Sequence, residues 1–383
     1  MEMAARAGLY LHVPFCRQKC RYCSFYSFVP GGGEIRDYLA AVRLQMRQLA
    51  ALAEVRELTF ATVFFGGGTP SILPVEELAG LLADCRQLFT FTHEEPEISI
   101  EVNPGTVDAA GLGRLRQAGF NRLSIGVQSF ADKALRELGR IHTATEARAL
   151  AISARRAGFD NLNLDLMYGL PGQRVEDWRR TLDQALALAP EHLSMYELTV
   201  EEGTPFWRQT QQGQLALPGE DEALAMMADI DETLAGGGMS RYEISNYAVP
   251  GRQCRHNLNY WHNGCYLGLG PGAVSALGSS RRAATADLVA YCQRVRAGAK
   301  VWDSVERLDH EAAFRETVVM GLRMIAGVSI AVLSGRFGID LAGYYGPTLH
   351  RLVDLDLLSL EGDHLRLTAR GLPLANRVMA ELV

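Results

Sequence analysis

The chain has 383 residues, 48% of them hydrophobic and 21% charged, with a formal net charge of −6. That is the make-up of a soluble globular protein with room for one large domain and a smaller one. No basic tail offers electrostatic capture of nucleic acid, and no run of about 18 apolar residues offers a membrane span. The opening Met1–Gly8 lacks the apolar core of a signal peptide, and seven cysteines, odd in number, fit a reducing cytoplasm.

In chain order, short apolar runs alternate with segments of helical period from residue 9 to about residue 200. Strands are expected over 9–13, 62–65, 97–102, 122–126, 161–165 and 192–197. Helices are expected over 35–53, 75–88, 109–118, 144–157 and 175–188. Such alternation gives a parallel sheet with helices outside it, so the fold class is α/β. Six units suggest a partial or closed barrel, with a doubly wound sheet as the alternative. In either architecture ligands gather at the C-terminal ends of the strands.

The polar motifs fall at those ends. Straight after the first strand, Cys16, Cys20 and Cys23 form a C-x-x-x-C-x-x-C run. Three thiolates this close can wrap one small inorganic centre. An iron–sulfur cubane has four ligand positions, so three protein ligands leave one iron open for a substrate. The rival readings are a zinc site with His12 as fourth ligand, or plain reduced cysteines. No second C-x-x-C pair accompanies the run, as zinc sites usually require. Gly66-Gly67-Gly68-Thr69-Pro70-Ser71 follows the second strand, where glycines let the backbone approach a ligand closely. Glu101-Val-Asn-Pro104 ends the third strand, Ser124-Ile-Gly-Val-Gln128-Ser-Phe the fourth, and Asn163-Leu-Asp165-Leu-Met-Tyr-Gly-Leu-Pro171 the fifth; Arg140-Ile-His142 follows one helix later.

Residues 236–305 read as a linking region, with a connecting helix and linker over 283–303. They carry Cys254-Arg-His256-Asn-Leu-Asn-Tyr260-Trp261 and a Gly-rich turn over 268–275. From residue 306 the chain reads helix, helix, helix, two short strands, helix: 310–325, 329–337, 346–355, 357–360, 365–368 and 372–382. That is a winged-helix-like order, but Asp354, Asp356, Glu361 and Asp363 interrupt any basic recognition face.

Taken in order, Y-x-H-x-P-F-C, G-G-G-T-P, E-x-N-P, S-x-G-V-Q-S-F, G-R-x-H and N-x-D-L-x-Y-G-L-P resemble one family. It is the oxygen-independent coproporphyrinogen oxidase, or HemN-like, branch of the radical S-adenosylmethionine (SAM) superfamily. The resemblance covers almost the whole chain. It implies a partial (β/α)6 TIM-type barrel over 1–235, the linking region, and a HemN-type C-terminal domain over 306–383. It implies a 4Fe–4S cluster on Cys16, Cys20 and Cys23, and SAM against Tyr10, Gly67 and Glu101. Tyr22, Gly68, Thr69, Gln128, Arg140 and Asp165 match a second SAM site of the porphyrin enzyme or border the first. The chemistry implied is one-electron cleavage of SAM to methionine and a 5′-deoxyadenosyl radical.

Two departures sharpen the resemblance. The oxidases continue C-x-x-x-C-x-x-C-x-C, where this chain has Phe25, and they carry a long N-terminal extension, whereas fifteen residues precede Cys16 here. Both features resemble the HemW haem chaperones, whose H-N-x-x-Y-W element is associated with haem ligation. That implies haem as cargo, His256 as its ligand with Cys254 and His262 as rivals, haem-accepting proteins as partners, and dimerisation as one use of the cluster. The alternative is an enzyme acting on a porphyrin by oxidative decarboxylation, methylation or cyclopropanation.

Overall fold

The structure, a computed structural model, describes residues 6–383. Six parallel strands build the core sheet: β1 (Arg6–Val13), β2 (Thr59–Gly67), β3 (Glu97–Val102), β4 (Arg122–Gln128), β5 (Leu162–Tyr168) and β6 (His192–Glu197). Their residues are buried on both faces, as central parallel strands require; β4 is buried from Arg122 to Val127. Helices cover the outside. Val75–Leu88 turns Leu78, Leu81, Leu82 and Cys85 inward, a spacing that follows the helical period. Ala144–Arg156 is started by a capping box of Thr143 and Glu146. Ala109–Ala118 is opened by Asp108 and closed by Gly119 at φ 107.

The expected linking region is largely part of the sheet. It supplies β7 (Ser240–Glu243), β8 (Asn246–Ala248), β9 (Cys265–Leu269), β10 (Val274–Leu277), β11 (Ser280–Ala284) and β12 (Trp302–Arg307). The full order is β12-β11-β10-β9-β1-β2-β3-β4-β5-β6-β8-β7. β9 runs parallel to β1, while the others join antiparallel. Two edge strands remain, β7 and β12, so the barrel is partial. The supposed linker over 283–303 holds the end of β11, helix Leu288–Arg296 and the start of β12. That helix is tied back to helix Glu34–Ala50 by Gln48 Nε2 to the Val295 carbonyl (2.9 Å) and by Arg296 to Asp37 (2.8 Å). These strands are three to six residues long, too short for local periodicity to reveal, and β9 reaches the parallel sheet only through its distant pairing with β1.

A second apolar core, from Phe314 to Leu382, belongs to the C-terminal segment. Helices His310–Gly321, Ile330–Phe337 and Leu341–Asp354 pack with a small sheet of β13 (Val328–Ser329), β14 (Leu358–Glu361) and β15 (His364–Leu367), in the order β13-β15-β14. The third helix begins at Leu341 rather than at 346, because a kink at Gly346 (φ 45) ahead of Pro347 hides its first turn from a periodicity reading. The end of the chain is a short 3₁₀ turn, Leu372–Leu374, and helix Ala375–Ala380. Backbone bonds from Ile244 N to the Arg323 carbonyl and from Ile325 N to the Tyr242 carbonyl, both 3.0 Å, join this segment to β7. Among the described residues no helix is long and apolar enough to cross a membrane.

Candidate functional site

The cysteine loop leaves β1 at Val13 and is closed on itself. Cys16 N donates to the Phe28 carbonyl and Phe28 N to the Pro14 carbonyl, both at 2.9 Å. Lys19 Nζ reaches inward to the carbonyls of Phe25 (3.0 Å) and Ser27 (3.1 Å). Phe25 itself is 69% exposed. The Gly-rich turn is zipped to this loop: Gly68 N donates to the Val13 carbonyl and Thr69 N to the Phe15 carbonyl, both at 2.8 Å. There is no room for larger residues. A Cβ on Gly68 would stand 2.6 Å from the Phe15 carbonyl oxygen, and one on Gly67, at φ +114, 2.6 Å from the His12 ring.

The structure joins four of the motifs in one chain of polar contacts. Thr69 Oγ1 donates to Cys16 Sγ (3.6 Å) and accepts from Asn103 Nδ2 (2.8 Å). Asn103 Oδ1 accepts from Arg140 Nη2 (2.5 Å), and Arg140 Nη1 donates to Cys20 Sγ (3.6 Å). Arg140 also donates to the Gly126 carbonyl (2.7 Å). Cys16 and Cys20 thus each have a sulfur-facing donor, that on Cys20 cationic. Asn103 was not among the expected site residues; its position in E-x-N-P was the signal that could have found it. Tyr22 packs beside Leu138, Met167 and Phe206, and burial raises its phenol.

The donor set fits a cluster. Cys16, Cys20 and Cys23 are free and part-exposed on one loop, and soft thiolates select iron–sulfur or related centres. His12 is committed elsewhere. Its Nε2 faces the Tyr26 carbonyl (2.9 Å), which can only accept, so Nε2 carries the proton and Nδ1 accepts from Tyr10 OH (3.0 Å). That geometry removes His12 as a fourth zinc ligand.

Above the turn, Gly67 N donates to Glu101 Oε2 (3.2 Å). Glu101 lines a cavity of about 290 Å³ inside the barrel, with Tyr10, Asp165, Tyr196, His256 and Tyr260. Asp165 accepts from Asn163 Nδ2 (2.7 Å) and Ser124 Oγ (3.2 Å). Gln128 ends β4 with φ 65, a left-handed conformation uncommon outside glycine, and lines neither this cavity nor its neighbour. Burial, with a smaller push from Asp165, raises the Glu101 carboxyl to about 8. Between pH 4.5 and 8 the unfolded chain therefore ionises this group while the folded chain does not, and stability falls as pH rises across that window. Glu101→Gln removes the loss and keeps an acceptor for Gly67. The variant is expected to melt higher than the parent at pH 8.5, by on the order of 1–3 kcal/mol after allowing for solvent reaching the cavity, with the gap closing by pH 5. Melting curves at the two pH values check this.

The H-N-x-x-Y-W element is a helix, Arg255–Trp261, whose N-terminus is capped from far away in sequence. Glu97 on β3 accepts from Arg255 N (2.9 Å), His256 N (3.0 Å) and Cys254 Sγ (3.6 Å). His256 is buried at 1% exposure, with Nδ1 at 2.7 Å from Thr62 Oγ1 and Nε2 at 2.9 Å from Tyr260 OH. Its ring lies among Phe64, Tyr10 and Tyr260. Gly8 on β1 makes the space, since a Cβ there would stand 3.0 Å from the imidazole. Burial pushes the His256 pKa down to about 3, so the ring is neutral. Of the rivals, Cys254 faces Glu97 and is pushed up to about 12 by burial, and His262 is exposed at the helix end. Trp261 lies under the Arg323 guanidinium, 4.3 Å from its ring centre. With Tyr10, Tyr260, Tyr266, Arg281 and Met320 it lines a second cavity of about 340 Å³, between the barrel and helix His310–Gly321.

The family model of the radical SAM superfamily matches residues 10–185, and that of the HemN C-terminal domain matches 308–374. A heme chaperone HemW of Bacillus subtilis is 33% identical, covering 96% of this chain and 97% of its own. One from Mycobacterium tuberculosis is 37% identical over 98% and 94%. One from Escherichia coli is 42% identical over 70% and 69%. Among solved structures, the coproporphyrinogen III oxidase HemN of Escherichia coli, a radical SAM enzyme, superposes with a TM-score of 0.86 at 25% identity, covering 99% of this chain and 90% of that one.

Proposed function

The chain belongs to the HemW family of the radical SAM superfamily, and on that premise we propose that it is a haem chaperone, which takes up haem and hands it to haem-accepting proteins. Superfamily membership brings a 4Fe–4S cluster and SAM with it. Cys16, Cys20 and Cys23 hold the cluster, with Thr69 and Arg140 donating to two of the sulfurs. Tyr10, Gly67 and Glu101 contact SAM, and Tyr22, Gly68, Thr69, Gln128, Arg140 and Asp165 border that site or make a second one. When bound, the reduced cluster supplies one-electron reduction of the SAM sulfonium. The chain's own part is to fix the donors and to exclude water, a task for the zipped turn and the part-buried Tyr10–His12 pair.

The observation that carries the haem reading is the placing of His256. A neutral imidazole lines the same cavity as Tyr10 and Glu101, on a helix that also presents Tyr260 and Trp261 to the second cavity. Neutral imidazole is the ligand form for haem iron. Ligation by Nε2 exchanges one contact, that with the Tyr260 phenol. His256→Gln retains hydrogen bonding to Thr62 or Tyr260 but cannot supply an imidazole. It is expected to bind haemin about tenfold or more weaker than the parent, with an altered Soret band, and to bind SAM normally. Haemin titration of the variant with the parent's affinity and spectrum would remove His256 as the ligand.

A further inference from the structure

Arg122, the first residue of β4, points a guanidinium into the barrel and is 2% exposed. Its Nε has no hydrogen-bond partner among the described residues. Buried guanidinium groups are ordinarily paired, because an unpaired one bears the full cost of leaving water. The carboxyls around it are engaged elsewhere. Glu97 caps the helix Arg255–Trp261, and Asp165 is held by Asn163 and Ser124. Arg122 lines the 290 Å³ cavity together with Ser124, Asn163, Ser194 and Tyr196. Glu101 and Asp165 also line that space, and burial raises both carboxyls against the opposing pull of Arg122 on each.

We propose that Arg122 anchors the carboxylate of a ligand reaching into the barrel past Tyr10 and Tyr260, the chemistry of a haem propionate. The forked guanidinium matches a carboxylate with two parallel hydrogen bonds. The volume suits a carboxyl-bearing arm rather than a macrocycle. Tyr10 and Tyr260 are shared walls with the larger, aromatic cavity outside, so an arm entering the inner space leaves its parent ring in the outer one, where His256 Nε2 meets the iron once Tyr260, its present partner, moves aside. This inference rests on the haem reading above. The same chemistry is carried by the α-carboxylate of SAM, and the test separates the two sources.

The cluster-loaded full chain is titrated with haemin, haemin dimethyl ester and SAM, as parent, Arg122→Lys and Arg122→Gln. The parent is expected to bind haemin at least about tenfold tighter than the diester. Arg122→Gln removes that preference by weakening haemin alone, and Arg122→Lys retains part of it. If Arg122→Gln instead weakens SAM about tenfold and leaves haemin unchanged, the anchor stands with SAM as its carboxylate. Equal binding of haemin and diester by the parent, with SAM unaffected by Arg122→Gln, overturns the anchor while leaving haem binding intact. Failure of the parent to bind haemin at all overturns the haem reading, and the SAM arm alone then decides the anchor. Should both variants fail to fold, the parent's preference between haemin and its diester, and between SAM and decarboxylated SAM, decides.

Discussion

Cys20→Ser is expected to leave the anaerobically reconstituted protein without its iron–sulfur chromophore, with iron and acid-labile sulfide at background. The same holds for Cys16→Ser and Cys23→Ser. The chain offers three thiolates on one loop, and a cluster that already leaves one iron without a protein ligand does not survive the loss of another. The surroundings make Cys20 the most sensitive. Arg140 donates to its sulfur while also holding Asn103 and the Gly126 carbonyl, so the change takes the sulfur acceptor away from a part-buried cation. Cys85 sits on the buried face of helix Val75–Leu88 and is the control: Cys85→Ala costs some stability and keeps the full chromophore. A chromophore that persists in any of the three serine variants would mean that the loop does not supply the ligands.

Glu97→Ala is expected to destabilise the fold by about 3–5 kcal/mol and to weaken haem and SAM binding together. Glu97 is buried, and its two oxygens satisfy the backbone donors of Arg255 and His256. Removing it orphans those buried donors, which costs more than the loss of one exposed hydrogen bond. The helix carrying His256, Tyr260 and Trp261 then loses its fixed start. Denaturant unfolding gives the stability change, and ligand titration the joint loss. Glu97→Gln, which keeps one acceptor, is expected to fall between parent and alanine.

The core of the fold was legible because its signals are local. β3 and β6 run over the spans that alternation marks, and the helices Val75–Leu88 and Ala109–Ala118 start and end where periodicity places them. The motifs at the strand ends were legible for the same reason, and the structure gathers Cys16, Cys20, Thr69 and Arg140 as the order of motifs implies. What was hidden depends on partners far apart in sequence. Strands β7–β12 are three to six residues long, and β9 enters the parallel sheet by pairing with β1, more than 250 residues away. The helix of His256 is capped by a residue 158 positions earlier, which no window on the sequence joins to it. Gly8 stands just before the expected first strand, Arg122 opens the expected fourth, and Asn103 lies inside E-x-N-P without being singled out. Their roles follow from the imidazole, the Thr69–Arg140 chain and the cavity that the folded backbone places beside them.

Haem carriage is the central property proposed for this chain. The most direct measurement is an anaerobic titration of the cluster-loaded chain with haemin, followed by mixing with apomyoglobin as a probe acceptor. A saturable Soret band that then passes to the acceptor is the result expected of a chaperone. No saturable band, or bound haem that never leaves for the acceptor, would contradict it.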